Sequence, residues 1–263
     1  RPEYRHDWNQ KTYYTQLKLD PLGKEWAEEM LGVLLGEDRA LAPVCSLIIE
    51  RTEGNPFFME EIVQTLREQG LLNRDDEWAR PSTSSGAVPL PSDLRLPTTV
   101  QGVLSARMDR LSAEEKALLQ TLAVIGRAFA ASLLRKVVTQ PDADLYRLLA
   151  RLQAAEFVYE QPAFPDVEYI FKHALTQEVA YNSLLLERRK VLHERAAQAI
   201  EEVYRHRLDD HYSELAYHYS RSENTQKAID YLQLAGQQAV QRSAHMEAIN
   251  HLSTALVHSA RNT

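Results

Sequence analysis

From residue 17 onward, apolar side chains recur every three to four positions, the spacing that gathers one apolar stripe on each α-helix. Trp26, Met30, Val33 and Leu34 form one stripe, and Val44, Leu47 and Ile48 form another after a break at Pro43. A third helix is predicted after Gly54-Asn55-Pro56, running through Ile62, Val63 and Leu66 to Gly70, where a helix end favours a residue free to adopt positive φ. Residues 17–72 therefore read as a compact helical unit. The period is lost over residues 73–97, where Pro81, Pro89, Pro91 and Pro97 interrupt regular structure and Ser82-Thr83-Ser84-Ser85-Gly86 supplies a flexible run. A small hairpin turning at Asp75-Asp76, followed by a linker, fits this segment, and so does an irregular insertion.

The helical period returns at Thr98 with Val100, Val103, Leu104 and Met108. Ser112 with Glu115 three residues on makes a capping box ahead of a helix whose apolar face is Leu118, Leu119, Leu122 and Ile125. Helices are predicted over about Ala130 to Val138 and Asp142 to Ala155. The period then changes to strict alternation: Phe157-Val158-Tyr159 and Val167-Glu168-Tyr169-Ile170-Phe171, separated by a Pro162 to Pro165 turn, read as a hairpin. Helices followed by a two-stranded wing outline a winged helix over residues 98–172. After His173 the chain is helical throughout, and its alanines supply the small side chains that let helices approach closely. Tyr212, Leu215, Ala216, Tyr219, Ala228, Leu232 and Ala235 have the spacing of a tetratricopeptide unit. Ala235, Gly236, Ala239, Ala248, Leu252 and Ala255 fit a second, overlapping register, so the pairing stays open. Residues 173–263 are read as the start of a TPR-like α-solenoid. The fold class is mainly α.

Composition narrows the function. Nine glycines in 263 residues are about half the usual share, whereas 36 leucines are present, a balance that favours helices over turn-dense β folds. No G-x-x-x-x-G-K-[ST] or G-x-G-x-x-G spacing occurs, so no phosphate loop is expected within the chain. The net charge of −7 repels nucleic-acid backbones and anionic lipid. The helix from Asp142, the candidate for a DNA groove, opens with Asp142 and Asp144, which would face phosphate. A structural winged helix is favoured over a DNA reader. The single cysteine, Cys45, excludes an internal disulfide and a thiolate metal cluster and fits a reducing cytoplasm. No membrane span or signal segment is apparent, and a start at Arg1 rather than Met suggests a piece of a longer chain.

Candidate chemistry is sparse. Glu28-Glu29, Glu60-Glu61, Glu114-Glu115 and Glu201-Glu202 are adjacent rather than convergent and read as surface, not as a two-carboxylate hydrolase. His206, His211 and His218 lie among Asp209, Asp210 and Glu214 and read as a solvated face. Glu187-Arg188-Arg189-Lys190 and His193-Glu194-Arg195 read as intrahelical ion pairing. No catalytic residue and no metal site is predicted.

The most distinctive segment is Gly54-Asn55-Pro56-Phe57-Phe58-Met59-Glu60-Glu61. Asn55 suits a helix cap, Pro56 the first helical position, and Gly54 a tight entry. This segment, then Leu96-Pro97-Thr98-Thr99-Val100-Gln101 with Arg107-Met108-Asp109-Arg110-Leu111, then Phe171-Lys172-His173-Ala174-Leu175 with Glu178-Val179-Ala180-Tyr181, resembles in residues and in order the predicted ATPases of the STAND class. More narrowly, it is similar to the bacterial kind attached to class III adenylate cyclases, protein kinases or helix-turn-helix regulators. The resemblance implies an AAA+-like P-loop core, a helical lid, a winged helix and a tetratricopeptide-type solenoid. It makes residues 1–16 the exit of a missing core, with Arg1-Pro2-Glu3 at a strand end and Arg1 a phosphate sensor. Pro56 would lie against adenine, shaped by Gly54 and Asn55, and His173 would contact the β-phosphate of ADP. Ala174 stands where the best-known form of that motif has an aspartate. ATP or ADP with Mg2+ would bind only together with the missing core. The implied partners are that core, an output domain of the same polypeptide, an inducer at the solenoid, and further copies of the chain. A scaffold that has lost nucleotide binding and a DNA-binding regulator are the alternatives.

Overall fold

The computed structural model describes residues 20–36, 41–69, 71, 98–163 and 166–260. Most of these are helical, with one small antiparallel sheet, as the mainly α reading expects. The chain divides into two compact units at Val103 and Leu104.

The first unit contains α1 (Lys24–Leu35), α2 (Ala42–Thr52) and α3 (Pro56–Glu68). Ala27, Leu31 and Leu35 of α1, Val44 and Ile48 of α2, and Phe58, Met59, Ile62, Val63 and Leu66 of α3 are buried in one core. Pro43 does not break a helix; it lies in the first turn of α2, where its missing N–H costs nothing. Trp26 and Val33, placed on the stripe by periodicity, are 64% and 81% exposed, so the true α1 seam runs through Ala27, Leu31 and Leu35. Arg67 reaches from α3 to donate to the Leu34 carbonyl at 2.8 Å, adding to the bond from Gly36 N–H to Gly32 O that closes the end of α1. The hairpin expected over residues 73–97, and Gly70, lie outside the described residues.

α4 (Val100–Met108) crosses from one unit to the other along the sequence. The second unit continues with α5 (Ala113–Ile125), β1 (Ala128–Ala130), α6 (Ala131–Val137), α7 (Asp142–Ala154), β2 (Val158–Gln161) and β3 (Glu168–Phe171). Ser112 and Glu115 form the reciprocal cap predicted for α5. The sheet order is β1-β3-β2, all antiparallel, with Ala128 opposite Ile170 and Tyr159 on the other side of Ile170. The hairpin was legible as alternation; β1, three residues long, was not. Phe129 on β1 stacks on Tyr169 and meets Phe171 edge-on, closing the sheet over the buried leucines of α5, α6 and α7.

Arg107, at the end of α4, is only 2% exposed. Its guanidinium lies 4.8 Å from the Phe157 ring centroid and donates to the Ala155 carbonyl at 2.6 Å, tying α4 to the turn between α7 and β2. Helices α8 (Ala174–Asn182) and α9 (Leu186–Val203) pack on α5, and α9 also on α6. A 3-10 turn, Leu208–His211, leads to α10 (Tyr212–Tyr219), α11 (Thr225–Gln241) and α12 (His245–Ala260). These three helices, joined by short turns, pack consecutively. α11 packs against both α10 and α12. Ala216, Leu232, Ala235 and Ala255 share one buried cluster, and Gly236 meets Leu252 of α12.

Candidate functional site

The turn from α2 to α3 is held by a chain of local bonds. Thr52 donates its hydroxyl to Ile48 O at 2.8 Å, and Asn55 N donates to Thr52 O at 2.9 Å. The Asn55 carboxamide oxygen accepts from Phe58 N at 3.1 Å, satisfying one of the amides that a helix start leaves without an intrahelical partner. Gly54 sits at φ +76°, and its carbonyl accepts from Leu22 N at 2.8 Å. A Cβ there would lie 2.2 Å from the Leu22 carbonyl oxygen, so glycine is required by both conformation and space. Pro56 occupies the first helical position with its ring exposed; Phe58 is buried and Phe57 only partly so. Gly54 is thus explained by packing on the segment before α1. Pro56 is left as an apolar ring at a helix N-terminus, facing solvent within its unit.

His173 lies at the junction of β3 and α8. Its extended backbone (φ −135°, ψ 143°) starts α8, and its carbonyl accepts from Thr176 N at 3.1 Å. The side chain makes no capping bond; the ring is half-buried, with Nε2 shielded from solvent. The flanking residues fix its position. Phe171 is fully buried and donates its N–H to Arg127 O at 3.0 Å. Lys172 donates its N–H to Phe157 O at 3.0 Å and pairs its side chain with Glu156 at 2.6 Å. Arg1 lies outside the described residues. Pro56 and His173 belong to different units and each is described within its own.

Two clusters were not anticipated. His218, read as part of a solvated face, is 1% exposed, and His193 is fully buried. Their Nδ1 atoms are 3.0 Å apart, and the Tyr181 hydroxyl is 3.0 Å from His193 Nε2. The Ile125 backbone beside His218 opposes part of the effect of burial on that ring. One proton pattern suits both contacts: Tyr181 donates to His193, and His193 donates to His218. Burial pushes His193 down to about 3, with His218 and Arg221 adding to the effect. Burial, then Arg221, pushes His218 down to about 4. Both rings are therefore neutral at pH 7. The chain joins α8, α9 and α10 beside the end of α5.

Glu201 was read as surface. It accepts from Lys227 at 2.6 Å and from the Tyr231 hydroxyl at 2.7 Å. Burial alone would raise its pKa, but these bonds and one from Tyr219 hold it below the usual carboxylate range. Tyr219 and Tyr231 stack with centroids 5.5 Å apart, and burial followed by the Glu201 charge raises both phenols. This is an α9–α10–α11 tie. Glu61 likewise is 2% exposed rather than on the surface. The spacing that could have revealed these clusters is long-range, because His193 and His218 are 25 residues apart.

Among the described residues no group of three or more His, Cys, Asp or Glu is arranged to hold a metal ion, and no helix is long and apolar enough to cross a membrane. No family model matches the chain. It is similar to an uncharacterized protein of Rhizobium meliloti (strain 1021), 29% identical over 265 residues. That alignment covers 97% of this chain and 24% of the relative, so the chain spans about a quarter of the length of the protein it matches.

Proposed function

We propose that the chain is the regulatory part of a nucleotide-dependent signalling switch of the STAND type: a helical lid, a winged helix and the first helices of a TPR-like solenoid, working in the cytoplasm with a P-loop core on the same polypeptide. The observation that carries this reading is the Gly54-Asn55-Pro56 turn. Its glycine has no room for a side chain, its asparagine caps α3, and its proline is the one member of the three whose side chain the local fold does not use. An exposed apolar ring at a helix N-terminus suits a flat base carrying phosphates. The half-buried ring of His173, fixed between β3 and α8, suits a donor to phosphate at a junction that a winged helix can move. Hydrolysis is assigned to the core; here the residues bind and report. ADP would favour a closed form and exchange for ATP an open one, freeing the solenoid for an inducer, a partner or another copy. The parent is an ATPase, with an adenylate cyclase or kinase as the output this reading allows.

The DNA-reading alternative is opposed by exposed Asp142 and Asp144 in the first turn of α7. The test is ADP release from the full-length polypeptide. Pro56→Ser, exposed and so harmless to folding, should speed release roughly tenfold, about 1.4 kcal/mol. His173→Ala should raise basal output. Unchanged release and output in both variants would leave a scaffold without nucleotide control.

A further inference from the structure

The basic run at the start of α9 behaves unevenly. Arg189 donates to the Leu184 carbonyl at 3.1 Å and the Asn182 carbonyl at 2.9 Å and lies over the Tyr181 ring. Lys190 pairs with Glu187 at 2.8 Å and Glu223 at 3.2 Å. Arg188 and Arg195, by contrast, make no ion pair or hydrogen bond among the described residues, although intrahelical pairing was expected of both. Seven residues apart, they lie on one face of α9, two turns from each other with Leu192 between. Both line a half-open cavity of about 80 Å³ between α5, α9 and the residues that follow α6.

The lining consists of donors and apolar surface. Leu118, Val137 and Leu192 supply apolar walls, and Thr139 and Gln140 stand at the exposed edge. Among the described residues no carboxylate lines the cavity. Nearby acids are engaged elsewhere: Glu115 by Arg151, Glu202 by Lys136 and Glu187 by Lys190. Two uncompensated guanidiniums beside one cavity, in a chain of net charge −7, are not a by-product of a basic surface. The cavity, about 80 Å³, is several times the ~10–15 Å³ that a single water needs.

The geometry points to a phosphate-class oxyanion site here, taking inorganic phosphate or the phosphoryl group of a small monoester. Guanidinium forks match phosphate oxygens pairwise; Arg195 is half-buried beside the apolar walls, and Arg188 stands exposed at the mouth. A carboxylate is satisfied by one fork. Phosphate, with more acceptor oxygens and a larger charge, can use both arginines and still accept from Thr139 or Gln140. The site does not depend on the nucleotide reading, since neither Pro56 nor His173 lines it.

Titration of the full chain with inorganic phosphate, followed by backbone amide chemical shifts and calorimetry, tests the site. Saturable binding is expected, with shifts centred on Thr139 and Gln140, and with sodium chloride at matched ionic strength and sodium acetate producing neither. Arg188→Gln and Arg195→Gln should each weaken binding at least tenfold, and Arg147→Gln on α7 should not. Glycerol phosphate binding tighter than inorganic phosphate would place its organic part on the Leu118 and Val137 walls; equal binding would assign the site to the phosphoryl group alone. Non-saturable shifts, shifts reproduced by chloride or acetate, or undiminished binding in a folded Arg195→Gln chain would overturn the site. The wild-type shift map decides the matter even if that variant misfolds.

Discussion

At the scale of single residues, the two closely packed glycines make opposite demands. A Cβ on Gly54 would meet backbone, the Leu22 carbonyl oxygen, at a φ of +76°. A Cβ on Gly236 would lie 2.7 Å from both Cγ and Cδ2 of Leu252 and 3.6 Å from His251 Cβ, so α12 side chains, not backbone, would have to shift. Gly54→Ala should therefore destabilise the first unit by about 3 kcal/mol, whereas Gly236→Ala should cost less, about 1–2 kcal/mol, as Leu252 repacks; urea unfolding of each variant measures both. Arg107 makes a third case. With its guanidinium buried against Phe157 and bonded to Ala155 O, Arg107→Ala should cost about 3 kcal/mol and Arg107→Lys nearly as much, because an ammonium cannot repeat the flat stack and the bond together.

The buried histidines add a dependence on pH. Their folded-state pKa values, about 3 for His193 and about 4 for His218, lie below the ordinary 6.5, so the unfolded chain binds protons that the folded one refuses. The stability they permit is complete above pH 6.5 and is lost as pH falls from there toward 4. At pH 5 each costs roughly 2 kcal/mol relative to pH 7.5. Unfolding near pH 5 should accordingly take up about two protons at this pair, an uptake removed in a His193→Gln/His218→Gln double variant; equal uptake in both chains would contradict the neutral pair. Among the described residues, the groups facing these rings are Tyr181, Arg189, Tyr217 and Arg221, and no carboxylate is hydrogen-bonded to either.

At the scale of elements, what was legible is what is local. The capping box of Ser112 and Glu115, the Asn55 cap and the β2–β3 alternation each depend on residues within about ten positions, and each formed. The α1 seam was placed one face away because Trp26 and Val33 are apolar but outward, and composition does not say which stripe finds a partner. β1 was missed because three residues show no period. The His193–His218 chain and the Glu201 cluster join helices distant in sequence, and no pattern along one helix reveals them. Ala235 belongs to both sequence registers, and α11, which carries it, packs on both α10 and α12. Residues 104–263 form a single unit, so the hairpin module and the helical array share their packing through α8 and α9.

At the scale of the whole molecule, Pro56 in the first unit is proposed to contact adenine, and His173 in the second is proposed to contact phosphate. The residues proposed for that contact split by role. Gly54 and Asn55 are already used by the fold, so their substitution should act through stability, whereas Pro56 and His173 should act through the ligand. The most direct measurement is the adenine nucleotide content of the purified full-length polypeptide and of its Pro56→Ser and His173→Ala variants. Close to one ADP per chain in the parent protein, with a reduced content in both variants at unchanged thermal stability, is the predicted result. A parent protein that carries no nucleotide, or variants that retain all of it, would contradict the switch.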